Sequence, residues 1–104
     1  MQRVVVLGGG VGGTLTANLI ARKLKREISG REASVTVVDA TGAHAYQPGY
    51  MYIAMGQERA EKLVRPERKL LDKNVELVVD EVLRIDTAAQ TVTLGSGTEM
   101  VYDQ

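Results

Sequence analysis

Cysteine is absent from the sequence, which excludes disulfides, thiolate metal sites and any thiol-based redox chemistry carried by the chain itself. An excess of charge of one sign is lacking too. Thirteen basic residues balance 13 acidic ones, so there is no electrostatic footprint for nucleic acid or an anionic membrane. Long hydrophobic runs are missing as well: Arg3 is followed only by the short apolar run Val4 to Leu7 before the first glycine. That is too short for a signal-peptide core and far too short for a membrane span, and a soluble, cytoplasmic chain is the expectation. A length of 104 residues allows one domain with a modest core and excludes a two-domain enzyme. No internal repeat, low-complexity tract or linker interrupts it. The single histidine, His44, has no Cys, Asp or Glu cluster beside it, so a loop hydrogen bond is favoured over a metal role.

What is present is concentrated near the N-terminus. Gly8, Gly10 and Gly13 form a G-x-G-x-x-G motif between a run of β-branched residues and a helical pattern, and Asp39 ends the next apolar run. A strand, a phosphate-binding turn, a helix and a ribose-binding acid in that order point to a dinucleotide site. Gly8 permits the tight turn, Gly10 lets a pyrophosphate approach the backbone, and Gly13 lets the helix pack closely on the sheet. The N–H groups around Val11 and Gly12, at the positive end of the helix, would point at the phosphates. Asp39 lies 26 positions after Gly13, against a usual distance of about 20, so the intervening helix or its connection carries a few extra residues. A carboxylate there accepts from a ribose 2′-OH and repels a 2′-phosphate, which points to FAD or NAD.

Along the chain, Arg3–Leu7 reads as a strand buried on both faces of a parallel sheet. Ala17, Ile20, Ala21, Leu24 and Ile28 recur at helical spacing over residues 11–28, with the basic run Arg22–Arg26 on the solvated side. Gly30 is expected to end this helix, and Ser34–Asp39 to form the second parallel strand. Residues 40–57 have no clean period and hold Tyr46, Tyr50, Tyr52, Met51 and Met55, which could line a ligand pocket but more simply pack on the sheet. Because Arg65 precedes Pro66, the next helical pattern is divided into Glu58–Val64 and Pro66–Leu71, with Pro66 in a first turn. Val75–Val79 reads as a third parallel strand, and Val82–Ile85, Thr91–Leu94 and Glu99–Tyr102 as an antiparallel meander. Glu76, Asp80 and Glu81 have no nucleophile to work with and are read as solvated; no catalytic residue is expected. In a sheet of order 3-2-1 the strand that would follow Tyr102 is missing, so Arg3–Leu7 is expected to be an open edge that drives self-association into a homo-oligomer.

This order of features resembles the N-terminal FAD-binding portion of the two-dinucleotide-domain flavoprotein oxidoreductases, and among them sulfide:quinone oxidoreductases and type II NADH dehydrogenases. The resemblance is carried by Gly8-Gly9-Gly10-Val11-Gly12-Gly13 with Ala17, by Asp39, by His44-Ala45-Tyr46-Gln47-Pro48-Gly49-Tyr50, by Leu63-Val64-Arg65-Pro66, and by the meander entered through Asp80-Glu81-Val82. It spans essentially the whole chain, and the Tyr-Gln-Pro-Gly loop is its specific part. It implies an α/β, Rossmann-like FAD/NAD(P)-binding fold, a parallel β-α-β-α-β sheet plus a meander, with residues 1–104 a partial FAD-binding domain that stops before the final parallel strand. It further implies that Gly8, Gly10, Val11, Gly12 and Gly13 hold the FAD pyrophosphate and that Asp39, with Ala40 beside it, takes the adenosine ribose. The backbone of Val82 would meet the adenine edge, and Tyr46, Gln47, Pro48 and Gly49 would approach the isoalloxazine. In such families the redox cysteines, the nicotinamide-type domain and the quinone-binding region follow this segment. Electron transfer from sulfide or NADH to quinone would therefore belong to a longer parent, peripheral at the membrane, with this chain inactive alone. A catalytically inert excised or designed fragment and the NAD-binding domain of a dehydrogenase are the alternative readings.

Overall fold

In the computed structural model, residues 1–45 and 64–104 are described. Strand β1 (Gln2–Leu7) leads into helix α1 (Val11–Lys23), a short helix α2 (Lys25–Ser29) and strand β2 (Ala33–Asp39). Beyond them lie β3 (Ala43–Ala45), β4 (Val64–Pro66), helix α3 (Glu67–Leu70), β5 (Val75–Val79), and the strands β6 (Val82–Asp86), β7 (Thr91–Leu94) and β8 (Glu99–Val101).

The first sheet is parallel and ordered β1-β2-β5, with Val4 beside Val35 and Val35 beside Val75. Alternation along these strands sends side chains to both faces, and both are covered. On one face Val4, Val35, Val37 and Val75 pack under Ala17 and Ala21 of α1, with Ile20, Leu24 and Ile28 at the margin. On the other, Val38 meets Val92 and Leu94 of the antiparallel β6-β7-β8 sheet, flanked by Val5, Val78, Met100 and Tyr102. The β-branched runs thus form strands because both of their faces have partners. Arg22, Lys23, Lys25 and Arg26 are exposed, as the helical pattern requires.

Four details differ from the sequence reading. The long helix breaks at Leu24 (φ −99°, ψ 18°) into α1 and α2. Gly30 does terminate α2, but the left-handed residue is Arg31 (φ 59°), so the reversal falls one position later. Arg65 and Pro66 lie in β4, paired antiparallel with β3 so that His44 faces Arg65, and helix α3 starts only at Glu67. Proline's fixed φ suits an edge strand as well as a first helical turn, and the cross-strand pairing decides. The expected helix over Glu58–Val64 otherwise lies outside the described residues.

Fourth, β1 is not a fully open edge. The last two residues run along it: the Val5 N–H donates to the Gln104 carbonyl (3.0 Å) and the Asp103 N–H to the Arg3 carbonyl (2.8 Å). The Arg3 N–H in turn donates to Asp103 Oδ2 (2.7 Å), which also pairs with the Arg3 guanidinium (3.3 Å). Asp103 and Gln104 thus lie along the edge that the sequence leaves open. Their backbone covers the first half of the edge, which removes much of the reason to expect self-association there.

Candidate glycine-turn site

At the carboxyl ends of the parallel strands, the turn after β1 and the end of β2 meet. Gly8 takes a left-handed conformation (φ 98°) and donates its N–H to the Val38 carbonyl (2.8 Å), folding the turn back over β2. Gly13 sits so close to that turn that a Cβ there would lie 2.0 Å from the Gly8 carbonyl oxygen. The close approach of helix to strand therefore requires glycine at this position. Gly10 and Gly12 differ: a Cβ on either would meet nothing within 4 Å. Their bareness opens space rather than relieving a clash within the chain.

Helix α1 starts after Gly10 with no side chain capping it. Its first intrahelical bond is Thr14 N–H to the Gly10 carbonyl (2.8 Å), which leaves the N–H groups of Val11, Gly12 and Gly13 without an acceptor among the described residues. Three convergent donors at the positive end of a 13-residue helix, beside a surface stripped of side chains, fit a pyrophosphate.

Asp39 stands next to this turn. Its Oδ1 accepts the Gly9 N–H (3.0 Å), and its Oδ2 accepts from the Gly42 N–H (2.8 Å) and from the Thr41 N–H and hydroxyl (both 3.3 Å). Burial pushes this carboxyl up, but the bonds from Gly9, Gly42 and Thr41 together outweigh it and hold the group below the usual carboxylate range. Asp39 is therefore ionised at neutral pH. A carboxylate offers about four acceptor positions, so Oδ1 retains capacity for a ribose hydroxyl. Ala40 is exposed beside it.

The Asp80 N–H donates to the Asp39 carbonyl (3.0 Å), which brings the entry of β6, and with it Val82, to the same end of the sheet. Tyr46, Gln47, Pro48 and Gly49 lie outside the described residues. His44 is a strand residue of β3 rather than a loop residue. Among the described residues no group of acids and histidines could hold a metal ion, and no helix is long and apolar enough to cross a membrane.

Two residues without a role in the sequence reading belong to this site. Thr14 is buried in the first turn of α1, and Glu67 is fully buried beneath Gly9. The Thr14 hydroxyl lies 2.5 Å from Glu67 Oε1 and 3.1 Å from the Gly9 carbonyl oxygen. The only hint in the sequence is a carboxylate directly after Pro66, a common helix-start pattern that carries no sign of burial. Asn18 ties the same elements together, donating to the Leu70 carbonyl (3.0 Å) and accepting the Asp72 N–H (2.7 Å). The Arg68 guanidinium bonds the carbonyls of Val75 and Asp72 and fixes the link from α3 to β5.

A family profile described as pyridine nucleotide-disulphide oxidoreductase matches residues 2–104. A sulfide-quinone reductase of Aquifex aeolicus is 34% identical over 103 residues, covering 98% of this chain and 23% of that protein. A type II NADH:quinone oxidoreductase of Staphylococcus epidermidis is 35% identical over 104 residues, covering 98% of this chain and 24% of its own length. The crystal structure of the sulfide:quinone oxidoreductase from Aquifex aeolicus superposes with a TM-score of 0.83 at 29% identity, over 99% of this chain and 23% of that one. The chain thus spans about a quarter of the length of the relatives it matches.

Proposed function

The chain belongs to the pyridine nucleotide-disulphide oxidoreductase family, and from that premise we propose that it forms the adenosine-diphosphate half of an FAD site. The oxidoreductase it serves would pass electrons from sulfide or NADH to a quinone. The observation that carries this reading is the turn itself: open space over Gly10 and Gly12, three helix N–H groups unclaimed among the described residues, and an ionised Asp39 bonded to Gly9. The pyrophosphate would lie on the N–H groups of Val11, Gly12 and Gly13, the adenosine ribose against Asp39, and the adenine near Val82. FAD would supply the redox chemistry; the residues of this chain bind and orient it.

Sulfide, NADH and quinone would be handled by regions corresponding to the remaining three-quarters of the relatives' length, and the intact enzyme would work at the membrane surface. The relatives support both the sulfide and the NADH branch, and the Tyr46-Gln47-Pro48-Gly49 sequence favours the sulfide branch. Without a cysteine the chain by itself should reduce no quinone with sulfide.

Calorimetric titration with ADP and FAD, alongside the visible spectrum of the purified protein, tests the reading. Binding of both ligands, with flavin absorbance retained on dilution into buffer, is the expected result. Binding of NAD in preference to FAD would replace the flavin assignment, and failure to bind any adenine nucleotide at millimolar concentration would remove it.

A further inference from the structure

The contacts around Gly9 close into a ring. The Gly9 N–H donates to Asp39 Oδ1 (3.0 Å); Asp39 Oδ2 accepts the Gly42 N–H (2.8 Å); the Gly42 carbonyl accepts the Glu67 N–H (2.9 Å). The single Thr14 hydroxyl proton is divided between Glu67 Oε1 (2.5 Å) and the Gly9 carbonyl oxygen (3.1 Å), a three-centre bond that closes the ring. Both polar groups of Gly9 are thereby held, the N–H from the Asp39 side and the carbonyl from the Glu67 side. Gly9 has no room for a side chain because Glu67 fills that space: a Cβ on Gly9 would lie 2.8 Å from the Glu67 carboxyl carbon.

Burying a carboxylate costs several kcal/mol unless its surroundings compensate, so a buried glutamate under a ligand-binding turn calls for an explanation. Its packing value alone would be served as well by leucine or methionine. Leucine or methionine there would leave the Thr14 hydroxyl only its longer contact to the Gly9 carbonyl (3.1 Å), and Thr14 belongs to the first turn of α1, whose N–H groups form the phosphate site.

We propose that Glu67 is a positioning residue for the dinucleotide: through Thr14 and Gly9 it locks the phosphate turn to the ribose acid Asp39, so that phosphate and ribose are recognised as one pre-organised unit. The proposal rests on the dinucleotide reading above and deepens it. Glu67 does not touch the ligand. It lowers the conformational cost of binding by fixing the peptide planes next to Gly10 before the ligand arrives. Because Asp39 and Glu67 act on the same turn, their contributions to binding are coupled.

The test uses Glu67→Ala, Glu67→Gln and Thr14→Val in the full 104-residue chain. Amide exchange at Gly9 is read without ligand, and ADP affinity by calorimetry. Glu67→Ala is expected to deprotect the Gly9 N–H and to weaken ADP binding about five- to tenfold, the scale of one net hydrogen bond. Glu67→Gln keeps an acceptor for Thr14 and should restore both. Thr14→Val, which keeps the bulk and removes the hydroxyl, should reproduce the alanine phenotype and carries the test if Glu67→Ala does not fold. In the double variant with Asp39→Asn the losses should be smaller than the product of the single effects.

Equal ADP affinity in wild type, Glu67→Ala and Thr14→Val would overturn the proposal and leave the dinucleotide reading standing. Tighter binding by Glu67→Gln than by wild type would overturn it by making charge, not positioning, the governing effect. Loss of ADP binding already in the wild type would instead overturn the dinucleotide reading, and the positioning role with it.

Discussion

At the end of β2, Asp39 accepts N–H groups from a glycine turn, and at the end of β5, Asp80 does the same: its carboxylate takes the N–H groups of Glu81 (2.8 Å) and Ser96 (3.3 Å) beside Gly95 and Gly97. Bonds from Ser96 and Glu81 hold the Asp80 carboxyl below its ordinary range, just as those from Gly9 and Gly42 hold Asp39. The difference lies in where the remaining backbone donors go. In the second turn Gly95 donates to the Glu81 carbonyl (2.8 Å) and Gly97 to the Leu94 carbonyl (2.9 Å), so the chain consumes its own N–H groups. In the first turn those of Val11, Gly12 and Gly13 point out of the helix start and find no acceptor among the described residues. An acid with a glycine turn is therefore not a ligand site in itself. What sets the first turn apart is a helix that starts in it and leaves its first donors unclaimed among the described residues, the arrangement the proposed site relies on.

The contrast can be broken most severely at Gly13. Gly13→Ala puts a Cβ 2.0 Å from a backbone oxygen that has no side-chain freedom to move away. Overpacking of this kind costs about 1–3 kcal/mol, and we expect both a clear fall in thermal midpoint and loss of ADP binding. A variant as stable as wild type would show that α1 can lift from the sheet without cost.

Gly10→Val comes next, and it should separate stability from binding. The added side chain enters open space at a residue with ordinary extended φ (−69°), so thermal unfolding should be nearly unchanged while ADP binding disappears. Gly97→Val, at a left-handed φ of 92° in the turn that consumes its own N–H groups, should do the reverse. Equal ADP affinity for Gly10→Val and wild type would refute the assignment of the first turn.

A smaller effect is expected at the acids. Asp39→Asn should weaken ADP-ribose binding by about 1–2 kcal/mol and relax discrimination against the 2′-phosphorylated form. Asp80→Asn should leave both unchanged. Unaltered discrimination in Asp39→Asn would mean that Asp39 does not face the ribose.

The smallest effect concerns pH. Asp39, Asp80 and Asp103 are all held low, Asp103 chiefly by the Arg3 N–H and guanidinium. Groups depressed in the folded state stabilise it fully above their unfolded value of about 4, and that stabilisation is lost as pH falls through the folded values. The thermal midpoint should therefore stay level from neutral pH down to about 4 and decline below it. The decline should be shallower in Asp39→Asn, as scanning calorimetry across this range would show.

Much of this architecture was legible from local pattern. The runs 3–7, 34–39 and 75–79 are rich in β-branched residues, the face of Ala17 and Ala21 repeats at helical spacing, and the parallel sheet forms where those patterns place it. The short stretch around Pro66 was not legible. Proline restricts φ without choosing between strand and helix, and the partner that decided, Ala43 of β3, is 23 positions away in sequence. The two-residue return along β1 was equally hidden, because Asp103 and Gln104 have no hydrophobic period and are placed by backbone bonds and an ion pair with Arg3.

The sequence by itself determined the order of strand, glycine turn, helix and acid, since each rests on properties a residue carries with it: β-branching, the missing Cβ, helical spacing and charge. Only the tertiary structure decided which glycines face open space and which face the chain, and that Glu67 and Thr14 support Gly9 from beneath. Those contacts join residues 53 positions apart. Their geometry is set by how α3 packs under the turn, and one exposed-looking glutamate is indistinguishable from another until that packing exists.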